Sequence, residues 1–457
     1  MTTPAMHPDL EGTSVGSPER SLNTILRWTF LLFVASIPFE FPDRSFPIEI
    51  PTLTASLFLL ATLLEPRACY ARKPLVLLWF AAYLYAYWLS AALNGDDHIA
   101  TDLITPDYWA QVVKQFLQIL QVIVVFWAAS NLLRSPKLAR TMLTTLATAS
   151  ATFALLPVLG IARTARAVWG GGERITALGQ NANVSATIMA AGLVALVGLQ
   201  YGLSRAPAWR RALTWPVIAL LVVGVVDTGS RSAMVSLALG LTVFAVAGAP
   251  TTRARLRNVF LAALLLGLIV SVAYNSPVVR RRFQEAVEQG ALAGRERIYP
   301  ALVQMFAERP LVGWGPVNNK YELGIRLDER IRRRRDAHNL ILEVLTTSGV
   351  LGAVPFVVGV GLCVIAAWGA RRRAHGTLPI ALTALILASN LSANYIASKL
   401  LWLTLAYGLA SLAYAPLRPS QTPPPQPLGA PGYRRSRPRP EREPVLEPLT
   451  APTGRRS

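Results

Sequence analysis

Long runs of apolar residues, separated by short polar loops, make up most of this chain. Most runs approach the length of about 20 residues that a helix needs to cross the apolar core of a bilayer. Twelve runs are recognisable, at residues 24–40, 51–64, 74–93, 110–133, 141–162, 183–203, 212–227, 232–249, 258–275, 340–370, 378–397 and 399–416. The second, seventh and last two are short or closely spaced, so eleven or thirteen spans are also possible. The pattern predicts an all-α polytopic membrane protein.

The loops between these runs alternate in charge. Every second loop carries three basic residues, at 65–73, 134–140, 204–211, 250–257 and 371–376. Because basic residues collect in cytoplasmic loops, we expect these loops and both chain termini on the cytoplasmic side. The loop at 94–109 contains four aspartates and neither lysine nor arginine, which agrees with a position on the outer side.

Three connections on the expected outer side break this rule, at 163–182, 228–231 and 276–338, where the last has thirteen basic residues against eight acidic ones. An arginine placed in a membrane is costly unless an anion pairs with it, and the planar guanidinium suits phosphate. The candidate residues for binding such an anion are Arg163, Arg166, Arg174 and Arg231. The amide of Asn181 could contact sugar hydroxyls or phosphate oxygens. The alternative for any single arginine is contact with a lipid headgroup.

His338 is the histidine that stands at the start of an apolar run on the outer face. We expect Asp336 to cap this helix, which would begin near Ala337. The positive end of the helix dipole and the arginines at 332–335 disfavour an imidazolium, and a neutral imidazole can act as a general base. The alternative is a hydrogen-bonded interfacial histidine. The arginine run itself is interpreted as a solvated or headgroup-facing surface.

The chain is therefore divided into five parts. Residues 24–275 carry the first nine spans, 276–338 form a large loop, and 339–416 carry the last three spans. The polar ends, 1–23 and 417–457, are predicted to be disordered on the cytoplasmic side, because they have too few apolar residues to form a core. No internal repeat is evident.

A helical pattern occurs within the large loop. Between Arg295 and Glu308, the apolar residues Ile298, Leu302 and Met305 share one face. This helix is expected to lie either along the membrane surface or on a small core of the loop itself.

Composition narrows the classes of function. The chain is 53% hydrophobic and 15% charged, whereas a soluble domain has roughly 25% charged residues. Its net charge of +20 is spread over short loops, which favours lipid headgroups or phosphate over nucleic acid. The two cysteines fall in or near predicted cytoplasmic regions, so no disulfide is expected. The sequence contains neither a metal-binding motif nor a Walker A motif, so we expect no metal, ATP or other cofactor.

Four segments together resemble the bacterial O-antigen ligase family, whose wider group includes O-antigen polymerases and protein O-oligosaccharyltransferases. They are RITALGQNANVSA at 174–186, TGSRS at 228–232, GRERIYPALVQMFAERPLVGWG at 294–315 and DAHNLILEVLTTSGVLG at 336–352. The last, with its His-Asn pair, glutamate and Gly-x-x-Gly, is the most specific. The order and spacing of the four segments carry the resemblance.

The resemblance implies a helical membrane glycosyltransferase, similar to the GT-C type, with a large periplasmic loop between spans nine and ten. Such enzymes transfer a glycan from undecaprenyl diphosphate to the terminal sugar of lipid A–core oligosaccharide, at the periplasmic face of the bacterial inner membrane, without a metal ion. His338 would deprotonate the acceptor hydroxyl, and Arg174, Arg231 and Arg295 would hold the diphosphate. Asn339 would be a further substrate-binding residue.

This reaction agrees with the residue pattern. A lipid diphosphate is a good leaving group, so no ATP is needed, and arginines can offset its charge as the bond breaks. A base opposite the leaving group predicts inversion at the anomeric carbon. O-antigen polymerase and protein O-oligosaccharyltransferase remain alternatives. A transporter or flippase for lipid-linked glycans is the alternative from another class, disfavoured because the arginines cluster at one face.

Overall fold

The computed structural model describes residues 22–41, 48–97, 107–167, 173–200, 208–247, 251–288, 294–327, 334–393 and 396–416. Within them, the elements in chain order are α1 (Thr24–Ser36), α2 (Ile50–Thr62), α3 (Pro66–Tyr70), α4 (Val76–Leu93), α5 (Tyr108–Leu132), α6 (Pro136–Val158), β1 (Arg163–Ala167), β2 (Glu173–Ala177), α7 (Ala182–Gln200), α8 (Ala208–Asp227), α9 (Arg231–Val246), α10 (Thr252–Asn275), α11 (Pro277–Glu288), α12 (Arg295–Glu308), α13 (Asn318–Arg326), α14 (Leu340–Gly369), α15 (Leu378–Asn390) and α16 (Lys399–Ser411). The ends predicted to be disordered lie outside the described residues, except for Leu22 and Asn23.

A helix lies at each of the twelve predicted apolar runs. Six helices in the described residues are long and apolar enough to cross a membrane, namely α4, α5, α6, α7, α10 and α14, and further apolar helices are shorter. The architecture is therefore helical and consistent with a polytopic membrane protein, while the count of twelve spans stays a prediction. The exception to the all-α expectation is a hairpin, in which β1 pairs antiparallel with β2 and Arg166 lies opposite Arg174.

Polar side chains mark the first turn of several apolar helices. The Asn23 side chain accepts a 2.8 Å hydrogen bond from the backbone N–H of Ile25, and Ser230 and Ser398 cap α9 and α16 in the same way. The first N–H groups of a helix have no partner within the helix, and a bilayer core supplies no water to replace one. These caps therefore fix where the helices begin.

Aromatic side chains fill the centre of the bundle where α4, α5, α14 and α16 meet. The ring of Phe80 lies 5.4 Å from that of Phe126 and 4.7 Å from that of Trp402, both edge-to-face, and 6.4 Å from that of Phe356. All four side chains are buried. Edge-to-face packing of aromatic rings adds to the stabilisation from their burial and fixes the helices relative to one another.

Helix α14 is interrupted at Gly349, whose backbone has φ 59° and ψ −161°. The loop before α13 lies against this break and replaces the lost helical hydrogen bonds. The backbone N–H of Trp314 donates to the carbonyl of Thr346 at 2.8 Å, and the backbone N–H of Leu351 donates to the carbonyl of Leu311 at 3.2 Å. Where a helix is interrupted inside a bilayer, its freed backbone groups need hydrogen-bond partners from elsewhere in the protein, because lipid offers none. The break therefore anchors segment 276–338 to α14.

Helix α12 spans Arg295–Glu308, as predicted. Its buried residues Ile298, Leu302 and Met305 pack in a small cluster with Trp314, Leu323, Leu327 and Ala337. The helix therefore packs on a core of its own segment, which is the second of the two expected arrangements. Helices α11 and α13 were not predicted from the sequence.

Parts of the chain that are far apart in sequence meet at the end of the bundle where α14 begins, called here the His338 end. Gln180, before α7, donates a 2.7 Å hydrogen bond to the carbonyl of Pro38, after α1. Lys399, at the start of α16, forms a 3.1 Å ion pair with Glu49, which precedes α2. The alternation of helix direction thus brings the loops expected on the outer side together at one end.

Candidate active site at the His338 end

His338 lies two residues before the first residue of α14 and is half-buried. Its backbone φ of 50° is in the left-handed region, which cannot continue a right-handed helix. The helix therefore begins at Leu340, and the side chain of Asn339 caps it by accepting hydrogen bonds from Ile341 and Leu342 at 3.0 and 3.2 Å. The expectation that Asp336 caps a helix from Ala337 is wrong.

Helix α12 places two side chains next to His338. The hydroxyl of Tyr299 lies 3.3 Å from the carbonyl oxygen of His338 and 3.1 Å from that of Leu391. One turn earlier, Arg295 Nη2 donates a 2.8 Å hydrogen bond to the carbonyl of Ser392. The Nε of Arg295 is buried and has no hydrogen-bond partner among the described residues. Since buried donors are normally paired, an anionic ligand at this position would complete the site.

The electrostatic surroundings of His338 favour a neutral imidazole. Burial lowers the pKa of His338, the positive charges of Arg295, Arg335 and Lys320 lower it further, and Asp336 opposes them. The net pKa lies below the ordinary value, so the ring is neutral at neutral pH and can accept a proton. The direction agrees with the expectation from the helix dipole and the arginine run, but the largest cause is burial.

A chain of alternating charges runs from Asp336 through Lys320 to Glu343. Lys320 Nζ lies 2.8 Å from Asp336 Oδ1 and 4.0 Å from Glu343 Oε1. Burial alone would lower the pKa of Lys320, but Glu343 and Asp336 raise it above its ordinary value. Burial alone would raise the pKa of Asp336, but Lys320, His338 and Arg334 lower it. Both groups are therefore charged at neutral pH.

A second cluster surrounds the turn between α8 and α9. Arg174, on β2, donates from Nε to the carbonyl of Thr228 at 2.7 Å and from Nη2 to Asn183 Oδ1 at 3.2 Å. The hydroxyl of Ser230 donates to the same Asn183 oxygen at 2.8 Å. These bonds hold the hairpin and the start of α7 against the turn.

Two further arginines complete this cluster. Arg231 Nη1 donates to the backbone carbonyl of Arg282, on α11, and Arg282 Nη1 donates to the carbonyl of Gly229 at 2.6 Å. With Arg174, three guanidinium groups therefore surround one turn. The N-terminus of α9, which begins at Arg231, adds partial positive charge. Such an arrangement is suited to phosphate groups.

The His338 end contains a cavity of about 660 Å³. Asn181 lines it on the side of α7, and Lys320, Arg334 and Glu343 line it on the side of α14. It therefore brings Asn181 together with Lys320 and Glu343, two members of the charge chain next to His338. Within the described residues, no group of three or more His, Cys, Asp or Glu side chains is placed to hold a metal ion.

The decisive comparison is with models of protein families. Residues 216–357 match the O-antigen ligase family model. The resemblance predicted from the four sequence segments is confirmed over this region, which contains Arg231, Arg282, Arg295 and His338. Arg174 precedes it. No curated protein matches the chain.

The remaining predicted site residues have less central positions. Arg163, on β1, is exposed, and Arg166 is placed only through its backbone pairing with Arg174. Asn181 is exposed, and its Oδ1 accepts a 2.9 Å hydrogen bond from the backbone of Asn183. The Asn339 oxygen is used to cap α14, which leaves its amide nitrogen as the group that could reach a substrate.

Sequence reasoning missed several residues that the structure brings to the site. Arg282 is one of thirteen basic residues in segment 276–338, and nothing in their order marks it. Lys320 was equally unmarked. Arg335 belongs to a run interpreted as solvated, yet it is half-buried and lowers the pKa of His338. Only Tyr299 carried a signal, since it lies four residues after Arg295 and shares its helix face.

Proposed function

We propose that this protein is an O-antigen ligase. It transfers a glycan from undecaprenyl diphosphate to the terminal sugar of lipid A–core oligosaccharide, on the periplasmic face of the bacterial inner membrane, with both termini in the cytoplasm. The observation that carries the proposal is the position of His338 next to Tyr299 and Arg295 of α12, with its pKa held below the ordinary value by burial, inside the region that matches the family. Transfer of a glycan away from a diphosphate needs a base to deprotonate the acceptor hydroxyl and cations to stabilise the anionic leaving group.

In the proposed reaction, the acceptor hydroxyl oxygen attacks the anomeric carbon of the donor glycan. The new C–O bond forms as the bond from that carbon to the diphosphate oxygen breaks, and the lipid diphosphate leaves with the electron pair. The proton of the hydroxyl passes to His338. The attack comes from the face opposite the leaving group, so the product has inverted configuration, and retained configuration would contradict this single displacement.

Arg174, Arg231 and Arg295 are proposed to hold the diphosphate, and the structure suggests adding Arg282 to this set. Their fixed positive charges stabilise the charge that develops on the leaving group. Three of them are held in place by hydrogen bonds to backbone carbonyls around the turn at 228–231. With this charge supplied by the protein, the transfer is proposed to need no divalent cation.

The charged neighbours of His338 have a role after proton transfer. Asp336 raises the pKa of His338, so its carboxylate favours the imidazolium that forms. Lys320 holds that carboxylate through the 2.8 Å ion pair. Lys320 and Asp336 are therefore proposed as positioning residues, while His338 is the catalytic residue.

The test uses purified protein in lipid nanodiscs with undecaprenyl-diphosphate-linked glycan, lipid A–core and a chelator of divalent cations. The ligase proposal predicts glycan attached to lipid A–core. Longer glycans on undecaprenyl diphosphate, with unmodified lipid A–core, would identify an O-antigen polymerase instead. Movement of intact donor across the bilayer without a new glycosidic bond would contradict both and favour transport.

A further inference from the structure

Helix α5 carries a stripe of glutamines that the proposed reaction does not use. Gln111, Gln115 and Gln118 lie on one face of the helix, and all three line the 660 Å³ cavity. The next residue of the stripe, Gln121, donates to the carbonyl of Thr52 at 3.1 Å and to a serine hydroxyl of α2 at 2.8 Å. The stripe is thus packed against α2 at Gln121 and faces open space at the other three positions.

Two carboxamide oxygens at this cavity are buried without a hydrogen-bond partner among the described residues, Gln111 Oε1 and Asn390 Oδ1. The Asn390 amide nitrogen is already used, because it donates to the carbonyl of Ile386 at 2.8 Å. Among the described residues, the oxygen of Gln115 accepts one long hydrogen bond, from the Tyr87 hydroxyl at 3.5 Å. Polar groups inside a membrane helix face a partner or a polar cavity. These oxygens therefore fit a ligand that donates several hydrogen bonds.

The charges that line the cavity nearly balance, with four cationic side chains (Lys114, Lys320, Arg334 and Lys399) against three acidic ones (Glu40, Glu49 and Glu343). Lys399 forms an ion pair with Glu49 at 3.1 Å, and Lys320 lies 4.0 Å from Glu343. The cluster of Arg174, Arg231 and Arg282 is separate from this lining and surrounds the turn at 228–231. A neutral polyhydroxylated ligand therefore suits the cavity, whereas phosphate suits the arginines. The volume lies within the range of about 300–1,000 Å³ that is typical of ligand pockets.

We propose that this cavity binds the sugar end of the acceptor, with the hydroxyls of the acceptor sugar paired to Gln111, Gln115, Gln118 and Asn390. The inference rests on the proposed transferase function and names the site of its second substrate. Lys320 and Glu343 line the cavity, and Lys320 is bonded to Asp336, two residues before His338. A sugar in the cavity would thus present its hydroxyl on the side of the general base.

The test measures initial rates of transfer in nanodiscs for Gln115→Leu and Gln118→Leu, varying each substrate separately. Leucine has a similar size but cannot accept hydrogen bonds. We expect the KM for lipid A–core to rise about tenfold, while the KM for the lipid-linked donor stays unchanged. Val113→Ala, at an exposed position of the same helix, is the matched control and should change neither constant.

A rise in the KM for the donor instead of the acceptor, or unchanged constants in both leucine variants, would overturn this inference while leaving the transferase function intact. If wild type transfers no glycan, the proposed function fails. The inference about the cavity is then tested separately, by measuring how tightly wild type and the variants bind purified lipid A–core. Tenfold weaker binding by the variants supports it, and equal binding contradicts it. If the leucine variants do not fold, Gln115→Met and Gln118→Met, which also lack the carboxamide, are measured with the same expectations.

Discussion

The ammonium group of Lys320 lies 2.8 Å from the carboxylate of Asp336, two residues before His338. This pair joins α13 to the loop that leads into α14. It also sets the charge around His338, because Lys320 lowers the pKa of His338 while Asp336 raises it. The Lys320–Asp336 pair therefore connects the fold of segment 276–338 to the protonation state of the proposed base.

The first prediction concerns the pH dependence of transfer. A general base works when unprotonated, so the rate falls as pH drops through the pKa of His338, which lies below its ordinary value of 6.5. Lys320→Met removes a cation and releases Asp336, and both changes raise that pKa. The acid limb of the rate profile, measured at saturating substrates, should therefore move to higher pH. Asp336→Asn should move it to lower pH, and shifts in one common direction would contradict the account.

The second prediction concerns the arginines around the turn at 228–231. Arg231→Lys keeps the positive charge but loses the planar fork that donates several hydrogen bonds. We expect the transfer rate to fall by about 10²-fold, similar to the loss of one donor from a site that stabilises developing negative charge. Arg253→Lys, on the exposed first turn of α10, is the control and should transfer normally. Full activity of Arg231→Lys would contradict a role for the Arg231 fork in holding the diphosphate.

The third prediction concerns the break in α14. A Cβ at Gly349 would lie 2.2 Å from the carbonyl oxygen of Leu311, and the backbone there is in a region that only glycine adopts readily. Gly349→Ala should therefore destabilise the protein by at least about 1–3 kcal/mol and lower the Tm in detergent. Gly361→Ala in the same helix meets no neighbour within 4 Å and should leave the Tm unchanged or raise it. An equal Tm for both variants would contradict this reading of the break.

Much of the fold could be predicted from the sequence because membrane helices are set by local properties. Apolar runs must form helices in lipid, since every backbone group needs an internal partner. The periodic pattern of α12 likewise predicted Arg295–Glu308 correctly. The start of α14 could not be predicted, because the left-handed backbone at His338 depends on contacts with distant residues such as Tyr299.

The candidate site was only partly predictable for the same reason. Arg174 and Arg231 could be identified because they break the charge rule within short loops. Arg282 could not, because its importance comes from a hydrogen bond to Gly229, 53 residues away in the chain. Lys320 also needs tertiary structure to be recognised, since its two carboxylate partners, Asp336 and Glu343, are 16 and 23 positions further on.

The account depends most on His338 as the base for a covalent transfer. The most direct measurement compares wild type and His338→Ala in nanodiscs, with lipid-linked glycan and lipid A–core, after both proteins show the same elution and Tm. Wild type is predicted to form the glycosidic bond in the presence of a metal chelator, and His338→Ala to bind the donor normally but form no product. Product formation by His338→Ala at the wild-type rate would contradict the account.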